Sequence, residues 1–122
     1  MTTVLRGSDN FDTGRFTSSA QTITAAGLLT LAHGLGRKPF GVSIYLECVT
    51  ASEGYSIGDE LETSFNATAS GLSRFNSAYT DETNVYIRYS DASGVFAIGN
   101  KATGTAVALT PANWRLRVRA WA

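Results

Sequence analysis

The chain has 122 residues, ten of them basic and ten acidic, for a net charge of zero. That length suits one domain with a single core, large enough to fold without disulfides or metals. Balanced charge argues against a nucleic-acid-binding protein, which needs a basic face, and no stretch reaches the ~20 apolar residues of a membrane span. Hydrophobic residues make up 43%, too many for a disordered chain, and charged residues only 16%. Their place is taken by 15 Thr, 12 Ser and 12 Gly, while strong helix formers such as Lys are scarce. Thr fits a pleated surface and Gly and Ser fit turns, so composition points to β structure.

Residues 1–20 are polar and weakly periodic, and read as an arm or a first edge strand; residues 21–122 read as the folded domain. The first segment carries Asp9 and Asp12 and no apolar run of signal-peptide length, so synthesis in the cytoplasm is expected. Gln21 to Thr24 and Leu28 to His33 are strand candidates with hairpin spacing, split by Ala25-Ala26-Gly27. His33 to Pro39, HGLGRKP, is a loop because two Gly and a Pro interrupt it. Phe40 to Thr50 alternates cleanly. Val42, Ile44, Leu46 and Cys48 lie on one face and Ser43, Tyr45 and Glu47 on the other. A further short strand is expected around Leu61 to Phe65, and Gly71-Leu72-Ser73 reads as a turn within a stretch of no clear period. Asn84 to Ser90 alternates again, with Val95 to Ile98 as the expected returning strand of a hairpin. Val107 to Leu109 is a short pairing segment, and Trp114 to Ala122 closes the chain as a strand. No helical period persists. The expected fold is an all-β, antiparallel β-sandwich in one domain.

The last strand is the most informative segment. Trp114, Leu116, Val118 and Ala120 share one face; Arg115, Arg117, Arg119 and Trp121 share the other. Three Arg spaced by two stand about 7 Å apart along a strand, and like charges in a row must be solvated or offset. Three readings follow: a solvated stripe, a site for an anionic ligand such as an acidic polysaccharide, or pairing with carboxylates. The partners for the last would be Glu47, Glu53, Asp59, Glu60 and Glu62, within one chain or between copies, since Arg binds carboxylates bidentately. Arg115, Arg117, Arg119, Trp121, Glu47, Asp59 and Glu60 are therefore the candidate oligomer or ligand interface.

Reactive chemistry has little support. Cys48 lies in an apolar run and reads as a small buried hydrophobe. His33 is the sole histidine, which is too few for a zinc site, and no G-x-S-x-G elbow accompanies it. HGLGRKP lacks a Walker pattern and a following helix. Asp59, Glu60 and Glu62 lack EF-hand spacing. The expectation is a non-enzymatic protein with no catalytic residue, no metal and no cofactor. Among aromatics beside turns, Tyr55 is expected to be exposed and is the candidate glycan contact, since an aromatic face packs against the apolar side of a sugar ring.

Three segments together resemble small structural and fibre domains of tailed bacteriophages and phage-derived gene transfer particles. They are LTLAHGLGRKPFGVSIYLECVTASEGYSIGDEL (29–61), NVYIRYSDASGVFAIG (84–99) and LTPANWRLRVRAWA (109–122). The His-Gly-Leu-Gly-x-x-Pro turn, the Glu-Gly-Tyr-Ser-x-Gly-Asp loop and the closing Asn-Trp-Arg-Leu strand carry the likeness. The order of elements is more distantly similar to H-type lectin domains, through a Pro before the long strand and a Trp near the end of the last one. The resemblance implies a virion component of fibre, spike or adaptor type, a jelly-roll or H-type-lectin-like sandwich assembled as a homotrimer or homohexamer. Other virion proteins and host surface polysaccharide are the implied partners, with no nucleic acid bound and no membrane insertion. A carbohydrate-binding module is the alternative it leaves open.

Overall fold

A computed structural model describes residues 13–62 and 64–122. Their strands, in chain order, are β1 (Arg15–Thr17), β2 (Leu28–Ala32), β3 (Gly41–Cys48), β4 (Glu60–Glu62), β5 (Asn66–Ala69), β6 (Leu72–Phe75), β7 (Ser77–Thr80), β8 (Asn84–Arg88), β9 (Ala97–Gly99), β10 (Ala106–Ala108) and β11 (Trp114–Trp121). The helical content among these residues is one 3-10 turn, Pro111–Asn113. No helix is long and apolar enough to cross a membrane.

The fold is an antiparallel, sandwich-like β domain. One sheet has the order β1-β11-β3-β4 and the other β2-β8-β7, with β9-β10 and β5-β6 as additional ribbons. The alternation read from the two longest strands sets the core. Ile44, Leu46 and Cys48 of β3 and Trp114, Leu116, Val118 and Ala120 of β11 meet Val85 and Ile87 of β8 in one buried cluster. Burying side chains such as Leu46 and Leu116 completely stabilises the fold by roughly 1.5–3 kcal/mol each. Phe96, Ile98 and Leu109 close the cluster from the β9-β10 side.

Two expected hairpins do not form. Gln21 makes a single bridge to Leu116 of the four-stranded sheet, whereas β2 pairs with β8 of the other sheet, so 21–33 crosses between layers. β8 pairs laterally with β2 and β7, and Val95 to Ile98 turns away instead, its β9 portion pairing with β10. Local turn chemistry at Ser90–Gly94 was compatible with either course; the partners available on each side of β8 decide. The unassigned stretch near Gly71 is a hairpin, β5-β6, turning on Ser70 and Gly71 with φ of 52° and 73°. The expected strand near Leu61 shortens to β4. Of the proposed N-terminal arm or edge strand, residues 1–12 lie outside the described residues, and Arg15–Thr17 is an edge strand on β11.

Candidate functional site

Because Trp114, Leu116, Val118 and Ala120 take the inner face of β11, Arg115, Arg117, Arg119 and Trp121 must project outward. Register then places their neighbours. Across β3, Trp121 stands opposite Gly41, Arg119 opposite Ser43, Arg117 opposite Tyr45 and Arg115 opposite Glu47. On the far side of β3, Tyr45 pairs with Glu62 and Glu47 with Glu60; on the near side of β11, Arg15 pairs with Trp121. The outer face is therefore basic along β1 and β11 and acidic along β3 and β4, with Tyr45 and Trp121 between.

Only part of this charge is paired. Arg117 reaches Glu47 at 3.4 Å and Arg119 reaches Glu60 at 3.6 Å. Both pairs are partly solvated and loose, so each contributes at most about 1 kcal/mol. The Arg119 guanidinium also lies 4.1 Å from the centre of the Tyr45 ring, a cation–π contact that leaves this outward Tyr only 7% exposed. Arg117 donates to the Ser18 carbonyl at 3.2 Å, and its buried Nε–H has no partner among the described residues. Arg115 folds back onto the carbonyls of Ala112 and Trp114 and pairs with no carboxylate among the described residues.

The remaining acids divide. Asp59 pairs with Lys101 at 2.9 Å and accepts the Ser56 N–H, which together hold its carboxyl below the ordinary range. Within the chain Asp59 thus meets Lys101 and not the arginine row. Glu53 bonds instead to the Thr110 hydroxyl and the Trp114 indole N–H. Burial pushes its pKa up, but the hydrogen bonds from Ser52, Thr110 and Trp114 outweigh that and leave it lowered. Glu62 is exposed, and its carboxylate makes no ion pair or hydrogen bond among the described residues.

Trp121 is the unusual member of the face. A Cβ added to Gly41 would fall 2.4 Å from Trp121 Cζ2 and 2.6 Å from Cε2, so the indole lies directly on the glycine backbone. Glycine inside a strand weakens it unless another group must approach closely. Here the indole uses the space of the absent side chain and is still 46% exposed. Trp121 also lines two cavities, one of about 620 Å³ toward β3, β4 and β7 and one of about 230 Å³ toward β1. Phe40 beside it is 85% exposed.

Tyr55 does not fit its expected role. Its ring packs edge-on against Trp114 with centroids 5.3 Å apart, and its hydroxyl donates to the Gly99 carbonyl. The loop folds back on the core, and the exposed aromatics among the described residues are Phe40, Phe75, Tyr79 and Trp121. Tyr79 stacks on Tyr86 at 4.7 Å. Sequence reasoning passed over Arg15, Gly41 and Phe40; a glycine near the start of an otherwise clean strand was the one available signal.

The two reactive side chains have structural partners. Leu35 N–H donates to His33 Nδ1, so the proton sits on Nε2 and is donated to the Asp81 carbonyl 3.0 Å away. The imidazole is fully buried and ties the HGLG loop to the β7–β8 turn. Burial pushes the Cys48 thiol up, and its Sγ donates to the Thr50 carbonyl. No cluster of three or more His, Cys, Asp or Glu suited to a metal occurs among the described residues. Comparison of the chain with protein-family models and with curated proteins finds no match, so its function is read from the geometry.

Proposed function

We propose that this chain is a non-enzymatic, oligomeric contact module of a phage-like particle, of fibre, spike or adaptor type, using the outer face of the β1-β11-β3-β4 sheet. One observation carries the reading: bases and acids occupy adjacent columns of a single face, joined among the described residues by two loose ion pairs. Columns of opposite sign offset sideways suit head-to-tail contact between copies, in which the basic column of one subunit meets the acidic column of the next and the ring closes. Arg, Tyr and Trp are also the residues enriched at protein interfaces. The particle itself enters through the three segments that resemble phage and gene-transfer-particle proteins.

Light scattering at micromolar concentration tests this. A trimer or hexamer that dissociates as salt is raised is the expected result, with the Glu47→Lys, Glu60→Lys double variant monomeric at low salt. A monomeric native protein, or an assembly indifferent to the double reversal, overturns the assignment of this face. The second reading, a carbohydrate-binding role, is favoured by a separate observation, the half-exposed Trp121 ring lying on Gly41 between two cavities.

A further inference from the structure

Across the four-stranded sheet the surroundings of Trp121 are asymmetric. On the β1 side, Arg15 stands opposite it in register and Arg119 precedes it by two on the same face; both line the smaller cavity. Arg15 is exposed and makes no ion pair or side-chain hydrogen bond among the described residues. Arg119 is held on the Tyr45 ring and only loosely on Glu60. On the β3 side, Ser43 and Glu62 line the larger cavity together with the apolar Val42, Ile44 and Phe65. Neither the Ser43 hydroxyl nor the Glu62 carboxylate has a hydrogen-bond or ion-pair partner among the described residues.

From this arrangement we infer that the Trp121 platform binds an acidic glycan, its pyranose ring on the indole, its carboxylate on Arg15 and its hydroxyls on Ser43 and Glu62. The inference rests on the carbohydrate-binding reading and names its ligand class. A half-exposed indole seated on a glycine offers an apolar face to the C–H side of a sugar ring, and the Arg15 guanidinium on one flank supplies the donors a carboxylate needs. Glu62 on the opposite flank accepts hydroxyls but repels a second carboxylate. The favoured chain therefore carries its acids on alternate sugars, with a neutral sugar reaching the Glu62 side. The larger cavity is within the usual volume range of ligand sites.

The test measures binding of hyaluronan octasaccharide, in which uronate alternates with a neutral amino sugar, by indole fluorescence and calorimetry with the full chain. Polygalacturonate and dextran oligosaccharides of equal length serve as comparisons. Expected are saturable, salt-weakened binding of hyaluronan, at least about tenfold tighter than either comparison, and a roughly tenfold or greater loss in Arg15→Gln. Trp121→Ala removes the platform. Gly41→Ala keeps every polar group but displaces the ring, so it must weaken binding too, while Trp121→Phe retains most of it.

Equal binding of dextran and hyaluronan, lost in Trp121→Ala but not in Arg15→Gln, overturns the acidic class and leaves the carbohydrate-binding reading standing. Silence toward all three oligosaccharides overturns both. Dissociation of an oligomer in Trp121→Ala without any glycan binding assigns the ring to a subunit contact and overturns the inference.

Discussion

Asp81 shows how far a single side chain governs its neighbourhood. Its Oδ1 accepts the Thr83 and Asn84 N–H groups at 2.9 and 2.7 Å, and its Oδ2 accepts the Tyr86 hydroxyl at 2.8 Å. These bonds, led by that from Asn84, draw its pKa from the ordinary 3.8 to about 2. A carboxylate whose folded pKa lies below its unfolded value stabilises the fold above the unfolded pKa and ceases to do so as pH falls through the folded one. Stability contributed by Asp81 is therefore present above pH 3.8 and lost between there and about pH 2. Urea midpoints of Asp81→Asn and the native chain should differ at pH 6 and converge near pH 2; a gap constant with pH refutes this role. The same turn explains why Tyr86 holds its proton more tightly than a free phenol, since its hydroxyl donates to that carboxylate. None of this was visible in the sequence, where Asp81-Glu82-Thr83-Asn84 is an ordinary turn with nothing to say that a tyrosine and the buried histidine converge on it.

Among elements, β3 and β11 were legible because apolar residues recur at every second position over eight residues of each and give it one wholly apolar face. The β5-β6 hairpin was not, because its strands have four residues each and its buried side chains are a small alanine, Ala69, and an arginine, Arg74. Arg74 is 2% exposed and has no carboxylate partner among the described residues. It donates instead to the carbonyls of Ser93, Ala69 and Leu72 at 2.7, 2.8 and 3.1 Å. A cation capping three carbonyls staples this hairpin to the loop before β9, and Asn76 adds bonds to Phe65 and Val95. Replacing Arg74 with Met keeps the stem but strands those carbonyls, at a cost of about 3 kcal/mol. Chemical denaturation measures it; a loss below about 1 kcal/mol would mean that water replaces the guanidinium. Periodicity arguments assume that inward means apolar, and here hydrogen bonding reverses the assumption.

For the whole molecule, β11 is the keystone. It is paired on one side with β1 and on the other with β3, so the two ends of the described chain meet in one sheet, and Ser18 and Gln21 bond to Val118 and Leu116. A chain lacking residues 114–122 would leave one edge of β3 unpaired and β1 without a partner. It should show no cooperative thermal transition by circular dichroism, and a sharp one would refute the keystone role. The candidate surface arises at this scale as well. Arg15, Trp121, Gly41 and Glu62 are distant in the chain and become neighbours only because β1, β11, β3 and β4 lie in that order.

The sequence by itself determined that the chain is all-β and antiparallel. Which faces of its two long strands enter the core, and that three arginines and a tryptophan must share the opposite face, were also determined there, because the two-residue strand period is a local property. Strand order and register were decided only by tertiary structure, since they depend on which apolar faces find each other across long stretches of chain. On them rest the partition of the acids, with Glu47 and Glu60 meeting arginines and Asp59 a lysine, the withdrawal of Tyr55 onto Trp114, and the seat of Trp121 on Gly41.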